Sequence, residues 1–375
     1  MSGPFGGSVC FVVGARPNFM KAAPVLRAVR AKAPGTGTLL VHTGQHYDPE
    51  MSDVFLDQLG LPAPDVFLGV GSGTHAEQTA RALIGIEAVL VERGPALVVV
   101  PGDVNSTLAG ALAAVKLGIP VAHLEAGLRS FDPTMPEEHN RRLTDHLSVL
   151  LLAHSQSAVD NLAAEGIEDG VHLVGNTMID SLLDHVEAAR AARPWEPYGV
   201  EPGGYGLVTL HRPALVDDPE LVGAAVEALV DLSASFPLVF PVHPRTVERL
   251  AAAGLEQTVA RSNVLLTKAL GYLDFLGLEA EARVVLTDSG GVQEETSALA
   301  VPCFTLRDST ERPVTVELGT NTLLGLEPER IGEIPALLEG ERVAAQIPLW
   351  DGNAGERAAD AIAQFLADAP VGVST

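Results

Sequence analysis

Short runs of β-branched residues and leucine recur along the chain, separated by helix-length, alanine-rich segments. Apolar runs without polar alternation are what a strand buried on both faces requires. The pattern therefore predicts βαβ units, with a parallel sheet covered by helices on each side. Strands are expected at residues 9–13, 38–42, 96–100, 120–123, 149–153 and 172–174 in the first half. In the second half they are expected at 206–210, 238–242, 264–266, 284–287 and 302–306. From Pro194 to Gly204, three prolines and three glycines fall in eleven residues, a composition that breaks helix and strand alike. The expected organisation is a doubly wound α/β domain over residues 1–193, a linker at 194–204, and a second doubly wound domain over 205–375. The last helix, expected over about 353–368, is left to pack on either domain.

Composition narrows the function classes. The 375 residues carry 48 acidic and 24 basic side chains, a net charge of −24, which leaves little from which to build a phosphate-neutralising face. A nucleic-acid partner is not expected. The 47% hydrophobic content argues for well-packed cores, and no apolar run approaches the roughly 18 residues that span a bilayer. The start lacks a basic segment followed by a long apolar one, so a cytoplasmic protein is expected. Cys10 and Cys303 both lie in apolar runs and read as buried thiols rather than a disulfide or zinc site.

Polar residues collect where the expected strands end, which is where open parallel sheets bind ligands. Strand 9–13 runs into Gly14-Ala15-Arg16-Pro17-Asn18-Phe19-Met20-Lys21, where Arg16 and Lys21 lie about one helical turn apart. Pro101-Gly102-Asp103 ends another strand, and Asp103 reads either as a helix N-cap or as a functional carboxylate. His123 and Glu125 stand two apart on an extended segment, and a carboxylate in that apolar setting is hard to explain as surface. Glu137, Glu138, Arg141 and Arg142 follow, equally consistent with a capped, salt-bridged helix start. In the second half, His211-Arg212-Pro213 and His243-Pro244-Arg245 end two successive strands. Thr287-Asp288-Ser289-Gly290-Gly291 carries a strand into a helix, and glycines there let backbone N–H groups approach a phosphate. The spacing is neither GxxxxGK[ST] nor GxGxxG, so neither a P-loop nor the usual dinucleotide fingerprint is present. His42 and His46 do not form a helical HExxH pair, and no GxSxG elbow surrounds Ser155 or Ser289, so neither a metal site nor a serine hydrolase is expected.

With these residues in view, the chain resembles the UDP-N-acetylglucosamine 2-epimerase family, non-hydrolysing type. The resemblance rests on Gly14-Ala15-Arg16-Pro17 through Lys21, Thr43-Gly44-Gln45-His46-Tyr47-Asp48, Pro101-Gly102-Asp103, His123 through Arg129, Pro136-Glu137-Glu138 with Asn140-Arg141, Val174 through Thr177, His211-Arg212, Pro241 through Pro244, Thr287 through Glu295, and Arg307 through Pro313. It implies two Rossmann-like domains facing across a cleft, the GT-B arrangement. It also implies C2 epimerisation of UDP-GlcNAc through elimination of UDP to a 2-acetamidoglucal, with no cofactor and no metal, by a cytoplasmic homodimer. Asp103, Glu125, Glu137 and His211 match the family's catalytic groups. Arg16, Lys21, Arg141, His243, Phe275, Ser289, Gly290, Gly291, Glu295 and Arg312 match its substrate and UDP contacts, with Phe275 at uracil and Glu295 at the ribose hydroxyls.

Alternative readings are a hydrolysing relative that releases free ManNAc, a 2-epimerase of a modified UDP-sugar, and, from another class, a GT-B glycosyltransferase. Two departures bear on them. Ala214-Leu215 stands where the family commonly has Glu-Asn after His211-Arg212, which touches the sugar pocket. Tyr47-Asp48 follows Gln45-His46, where many bacterial members carry an arginine and use the region for an activating second substrate molecule. Initial rates are therefore expected to follow a hyperbola in UDP-GlcNAc concentration. A clearly sigmoidal curve rejects this expectation.

Overall fold

A computed structural model of the protein describes residues 7–45, 61–242, 244–252, 254–339 and 346–368. It contains two sheets in which every pairing is parallel. The first is built from Val9–Val13 (β1), Thr38–His42 (β2), Val66–Phe67 (β3), Leu97–Pro101 (β4), Val121–Ala126 (β5), Leu150–Ala153 (β6) and Val171–Leu173 (β7), in the order β3-β2-β1-β4-β5-β6-β7. The second is built from Gly206–Thr209 (β8), Leu238–Pro241 (β9), Val264–Thr267 (β10), Val284–Thr287 (β11), Cys303–Thr305 (β12) and Asn321–Leu323 (β13), in the order β10-β9-β8-β11-β12-β13. Each sheet starts in its middle, winds outward to one edge, then returns and winds to the other, which is the Rossmann-like doubly wound α/β plan.

Burial explains why these runs are strands. Successive residues of a strand point to opposite faces, and a sheet covered on both needs apolar side chains at every position. In the second sheet Val208, Phe240, Val284 and Leu286 pack with Val222, Val226 and Leu229 of the helix Pro219–Leu232. Their neighbours Leu207, Val239 and Val285 face the other way, against Tyr205, Leu278 and Val292. In the first sheet Val12, Val41, Val98 and Val100 lie under Ile86 and Leu90 of the helix His75–Arg93 and Ala109 and Ala113 of the helix Asn105–Lys116. Cys10 and Cys303 are free thiols inside these layers, each pushed up to about 12 by burial. Among the described residues, no helix is long and apolar enough to cross a membrane.

The chain divides into two units, residues 1–181 with 348–375, and residues 182–347. Residues 194–204 belong to the second, where Trp195 and Val200 are buried around the short 3-10 turn Glu196–Tyr198. The final helix, Ala354–Asp368, belongs to the first and packs along the helix Arg16–Lys32. Its approach is close, since a Cβ on Gly355 would stand 2.7 Å from that of Pro24. Asp180 caps it: the backbone N–H groups of Ala354 and Gly355 donate to the two Asp180 carboxylate oxygens at 3.1 and 2.6 Å. A carboxylate at this position satisfies orphan donors and complements the positive helix end. Asp180→Ala is expected to cost about 1–2 kcal/mol in urea unfolding and to speed amide exchange selectively in residues 354–368.

Candidate active site

In doubly wound sheets ligands bind beyond the carboxyl ends of the strands, where the strand order reverses. In the first sheet that point lies between β1 and β4. The backbone N–H groups of Gly14 and Ala15 donate to Asn18 Oδ1, both at 3.1 Å, while Asn18 Nδ2 donates to the Pro101 carbonyl at 3.0 Å. One side chain thus ties the two strand ends together. Gly102 follows with φ at 67°, a left-handed turn whose absent Cβ would lie 3.1 Å from Lys21 Nζ and 3.4 Å from Glu125 Oε2. A β-bulge interrupts β5 between Leu124 and Ala126, and Glu125 itself adopts φ 72°, a conformation that costs a non-glycine residue about 1–3 kcal/mol. The bulge re-aims its carboxylate into a salt bridge with the Lys21 ammonium, both side chains being buried.

Asp103 stands at the mouth of the same turn. Arg141, on the helix Pro136–Leu147, reaches Asp103 Oδ2 with Nη2 at 2.7 Å and Nε at 2.9 Å, and Asn140 Nδ2 donates to the Asp103 carbonyl at 2.8 Å. Glu138 is buried and structural: it accepts from Ser130 N and Oγ and from Arg141 Nη1. Glu137, its neighbour in the first helical turn, is half-buried and makes no hydrogen bond or ion pair among the described residues. Behind Gly102, both His123 ring nitrogens meet acceptors, Nδ1 at 2.6 Å from Asp145 Oδ1 and Nε2 at 2.7 Å from the Gly102 carbonyl. A carboxylate and a carbonyl only accept, so the ring is held between two acceptors that fix its orientation. Burial alone would raise the Asp145 carboxyl. The charges of His123 and of Arg129, 2.7 Å away, outweigh it and hold the group below the usual carboxylate range.

In the second sheet the reversal lies between β8 and β11. The backbone N–H groups of His211 and Arg212 donate to Asp288 Oδ2 at 2.8 and 2.7 Å, and His211 Nδ1 lies 3.1 Å from Asp288 Oδ1. The half-exposed imidazole thus lies beside Asp288 on its Nδ1 side. Ser289 precedes the helix Gly290–Ala298 and makes no side-chain cap, so the first N–H groups at Gly290 and Gly291 are not occupied by it. A Cβ at position 290 would lie 2.4 Å from Arg312 Nη1 and 2.8 Å from Glu311 Oε1, so a larger residue there would have to displace that ion pair. Arg212, Arg307 and Arg312 all converge on Glu311, at 3.7, 2.8 and 2.6 Å, and Arg312 also pairs with Glu294 at 2.9 Å. Burial, together with Arg307, pushes the Arg212 guanidinium below its usual value. Arg307 Nη1 is buried without an acceptor among the described residues. Glu295 is buried against Glu279, and Phe275 is half-buried on the core around Trp195 and Tyr205.

Within the first unit the structure groups Lys21, Asp103, Glu125 and Arg141, with Glu137 on the same helix as Arg141. Within the second it groups Ser289, Gly290, Gly291 and Arg312, with His211 across Asp288. His243, His46, Tyr47 and Asp48 lie outside the described residues, as does the Arg16 side chain. Leu215 is not a ligand-facing replacement: it is buried in the second core, which leaves exposed Ala214 as the departure open to solvent. Sequence marks Arg212 and Arg307 only as arginines at strand ends and gives Asp288 and Glu311 no role, although Asp288 directly precedes Ser-Gly-Gly. Among the described residues, no group of three or more His, Cys, Asp or Glu side chains is placed to hold a metal ion. Removing one partner of a buried ion pair strands the other charge, so Lys21→Met is expected to lower stability by about 3 kcal/mol. Urea denaturation should show Lys21→Met/Glu125→Gln recovering much of that loss.

Comparison with known proteins follows this geometry. A family model described as UDP-N-acetylglucosamine 2-epimerase matches residues 29–363. A UDP-N-acetylglucosamine 2-epimerase of Methanocaldococcus jannaschii is 43% identical over 353 residues, covering 92% of this chain and 96% of the relative. The crystal structure of the M. jannaschii UDP-GlcNAc 2-epimerase, in complex with UDP-GlcNAc and UDP, superposes with a TM-score of 0.87 at 42% identity, covering 95% of this chain and 99% of that one. A UDP-2,3-diacetamido-2,3-dideoxy-D-glucuronate 2-epimerase of Pseudomonas aeruginosa is 41% identical, covering 95% of this chain and 98% of the relative. The chain therefore belongs to the UDP-N-acetylglucosamine 2-epimerase family of isomerases.

Proposed function

We propose that this chain is a non-hydrolysing, cytoplasmic and homodimeric epimerase that interconverts UDP-GlcNAc and UDP-ManNAc at C2. The observation that carries the reading is the carboxylate group at the β1/β4 reversal. Asp103 and Glu125 flank the Gly102 turn, each matched by a cation, and the unpartnered Glu137 lies on the helix that supplies Arg141. Inverting a carbon acid needs a base on one face and an acid on the other, and a nucleotide-binding fold without that task has no need of such an array.

In this reading a carboxylate of the first unit removes the C2 proton. The C1–O bond breaks with its electron pair leaving on UDP, and a C1=C2 glycal forms. UDP then adds back to C1 while a proton is delivered to the opposite face of C2. Asp103 and Glu137 are assigned to proton transfer. Lys21 holds Glu125 in place through their ion pair, and Arg141 does the same for Asp103. The second unit supplies the leaving-group chemistry. Its helix start at Gly290 and Gly291 and the guanidinium groups of Arg212, Arg307 and Arg312 offer fixed positive charge for a diphosphate, and the open Nη1 of Arg307 supports this. His211, oriented by Asp288, is the proton donor or acceptor of this unit. Arg16 and His243 join the diphosphate contacts, Phe275 packs on uracil, and Glu295 accepts the ribose hydroxyls.

A second reading, epimerisation of a UDP-sugar modified elsewhere on the ring, is favoured by one observation. Relatives named for two different UDP-sugars are almost equally similar to this chain, at 43% and 41% identity. Incubation in D2O with UDP-GlcNAc or with UDP-2,3-diacetamido-2,3-dideoxy-D-glucuronate, followed by NMR, separates the two. Deuterium at C2 with an equilibrium of UDP-linked epimers identifies the substrate. Free ManNAc shows hydrolysis instead, and absence of C2 exchange with both sugars rejects the reading. Asp103→Asn is expected to lower turnover by about 10²-fold while UDP affinity changes only a few fold.

A further inference from the structure

Glu279, on the helix Tyr272–Ala280, is fully buried, and neither of its carboxyl oxygens meets an N–H or O–H donor among the described residues. The group it reaches is the carboxyl of Glu295, on the helix Gly290–Ala298. Two carboxylates offer oxygens that only accept, so a hydrogen bond between them requires a proton on one. The surroundings supply no substitute for it. Tyr272, from the same helix as Glu279, and Cys303, from β12, both face the pair and are held neutral by burial. Glu294, beside Glu295, adds negative charge, and its carboxylate is already met by Arg312. His185, from the helix Thr177–Ala191, lies against the Tyr272 ring at 6.4 Å. Burial followed by the Glu295 charge pushes Glu279 well above the carboxylate range, and burial also raises Glu295. Glu279 has no exposure and Glu295 retains 7%, so the proton belongs on Glu279 and the more accessible carboxyl is the acceptor.

We propose that Glu279 is a positioning residue: it remains protonated and donates to Glu295, fixing that carboxyl in the orientation from which it accepts the ribose hydroxyls of the nucleotide. The proposal deepens the reading of Glu295 as a nucleoside contact and rests on it. It gives Glu279 no contact with substrate and no step in the chemistry. It predicts a dependence on pH. When the pair loses its proton at alkaline pH, two anions repel and Glu295 leaves its place, whereas an amide at position 279 donates a hydrogen bond at any pH.

The test measures binding of UDP and of 2′-deoxy-UDP by calorimetry for the wild type, Glu279→Gln and Glu279→Leu, with infrared spectra of the free proteins. The expected result is a loss of about 10-fold in UDP affinity for Glu279→Leu, the size of one lost hydrogen bond to a charged group. Glu279→Gln should restore binding to within about 2-fold. The Leu penalty should shrink for 2′-deoxy-UDP, and wild-type affinity relative to Glu279→Gln should fall as pH rises above neutrality. Because both proteins bind the same ligand, titration of UDP itself cancels in that ratio. The protonated-carboxyl C=O band of the wild type should be lost in Glu279→Gln. An unchanged band, or UDP affinity within about 2-fold in Glu279→Leu, overturns the proposal. If the wild type binds UDP and 2′-deoxy-UDP equally, the ribose reading of Glu295 fails and the positioning role goes with it. The infrared band then still decides separately whether Glu279 holds the proton. If Glu279→Leu does not fold, Glu279→Gln and the band decide alone.

Discussion

A carboxylate inside a parallel sheet has to be met by a cation, and in the first unit that requirement is filled by Lys21 across 104 residues of sequence. Much of the neighbourhood follows from this one pairing. The helix Arg16–Lys32 has to begin directly after β1 to bring Lys21 over the strand ends, and Asn18 holds that start to β4. β5 has to bulge so that Glu125 leaves the alternation of the strand, and Gly102 turns at φ 67°, where a Cβ would be strained and would crowd the Lys21 ammonium at 3.1 Å. The strain at Glu125 is therefore the local cost of aiming a charged group at a strand end, offset by a buried ion pair.

The second unit meets a related need with opposite sign. A chain of net charge −24 cannot attract an anion through its overall field, so attraction has to be local. Three guanidinium groups are held together around one buried carboxylate, Glu311, at the open end of a helix. Glu311 and Glu294 do not cancel that charge so much as fix where it sits, because arginines packed this closely would otherwise repel one another.

The strand-helix rhythm, the doubly wound plan and the strand ends were legible because burial on both faces leaves an unmistakable run of apolar residues. β1, β2 and β11 fall at the expected positions. β3 and β13, of two and three residues at the sheet edges, were not visible because such segments are too short to show a pattern. The candidate residues themselves could be picked out, since His, Asp and Arg at the end of an apolar strand need a reason to be there. Their partners could not. Asp288 meets His211 and Asp145 meets His123 only because of strand order, and Glu279 reads in sequence as an ordinary helical glutamate until the fold closes over it.

The first unit takes its last helix from residues 354–368, after the whole of the second unit has been encoded. During synthesis the 182–347 segment emerges entire while the first unit still lacks the helix that buries Ala358 and Ile362 and covers the helix Arg16–Lys32. The two units thus stand in an order of completion opposite to their order of translation. The N-terminal sheet, with its strained Glu125 and its buried charge pair, is finished last, once the chain's end returns and Asp180 caps it.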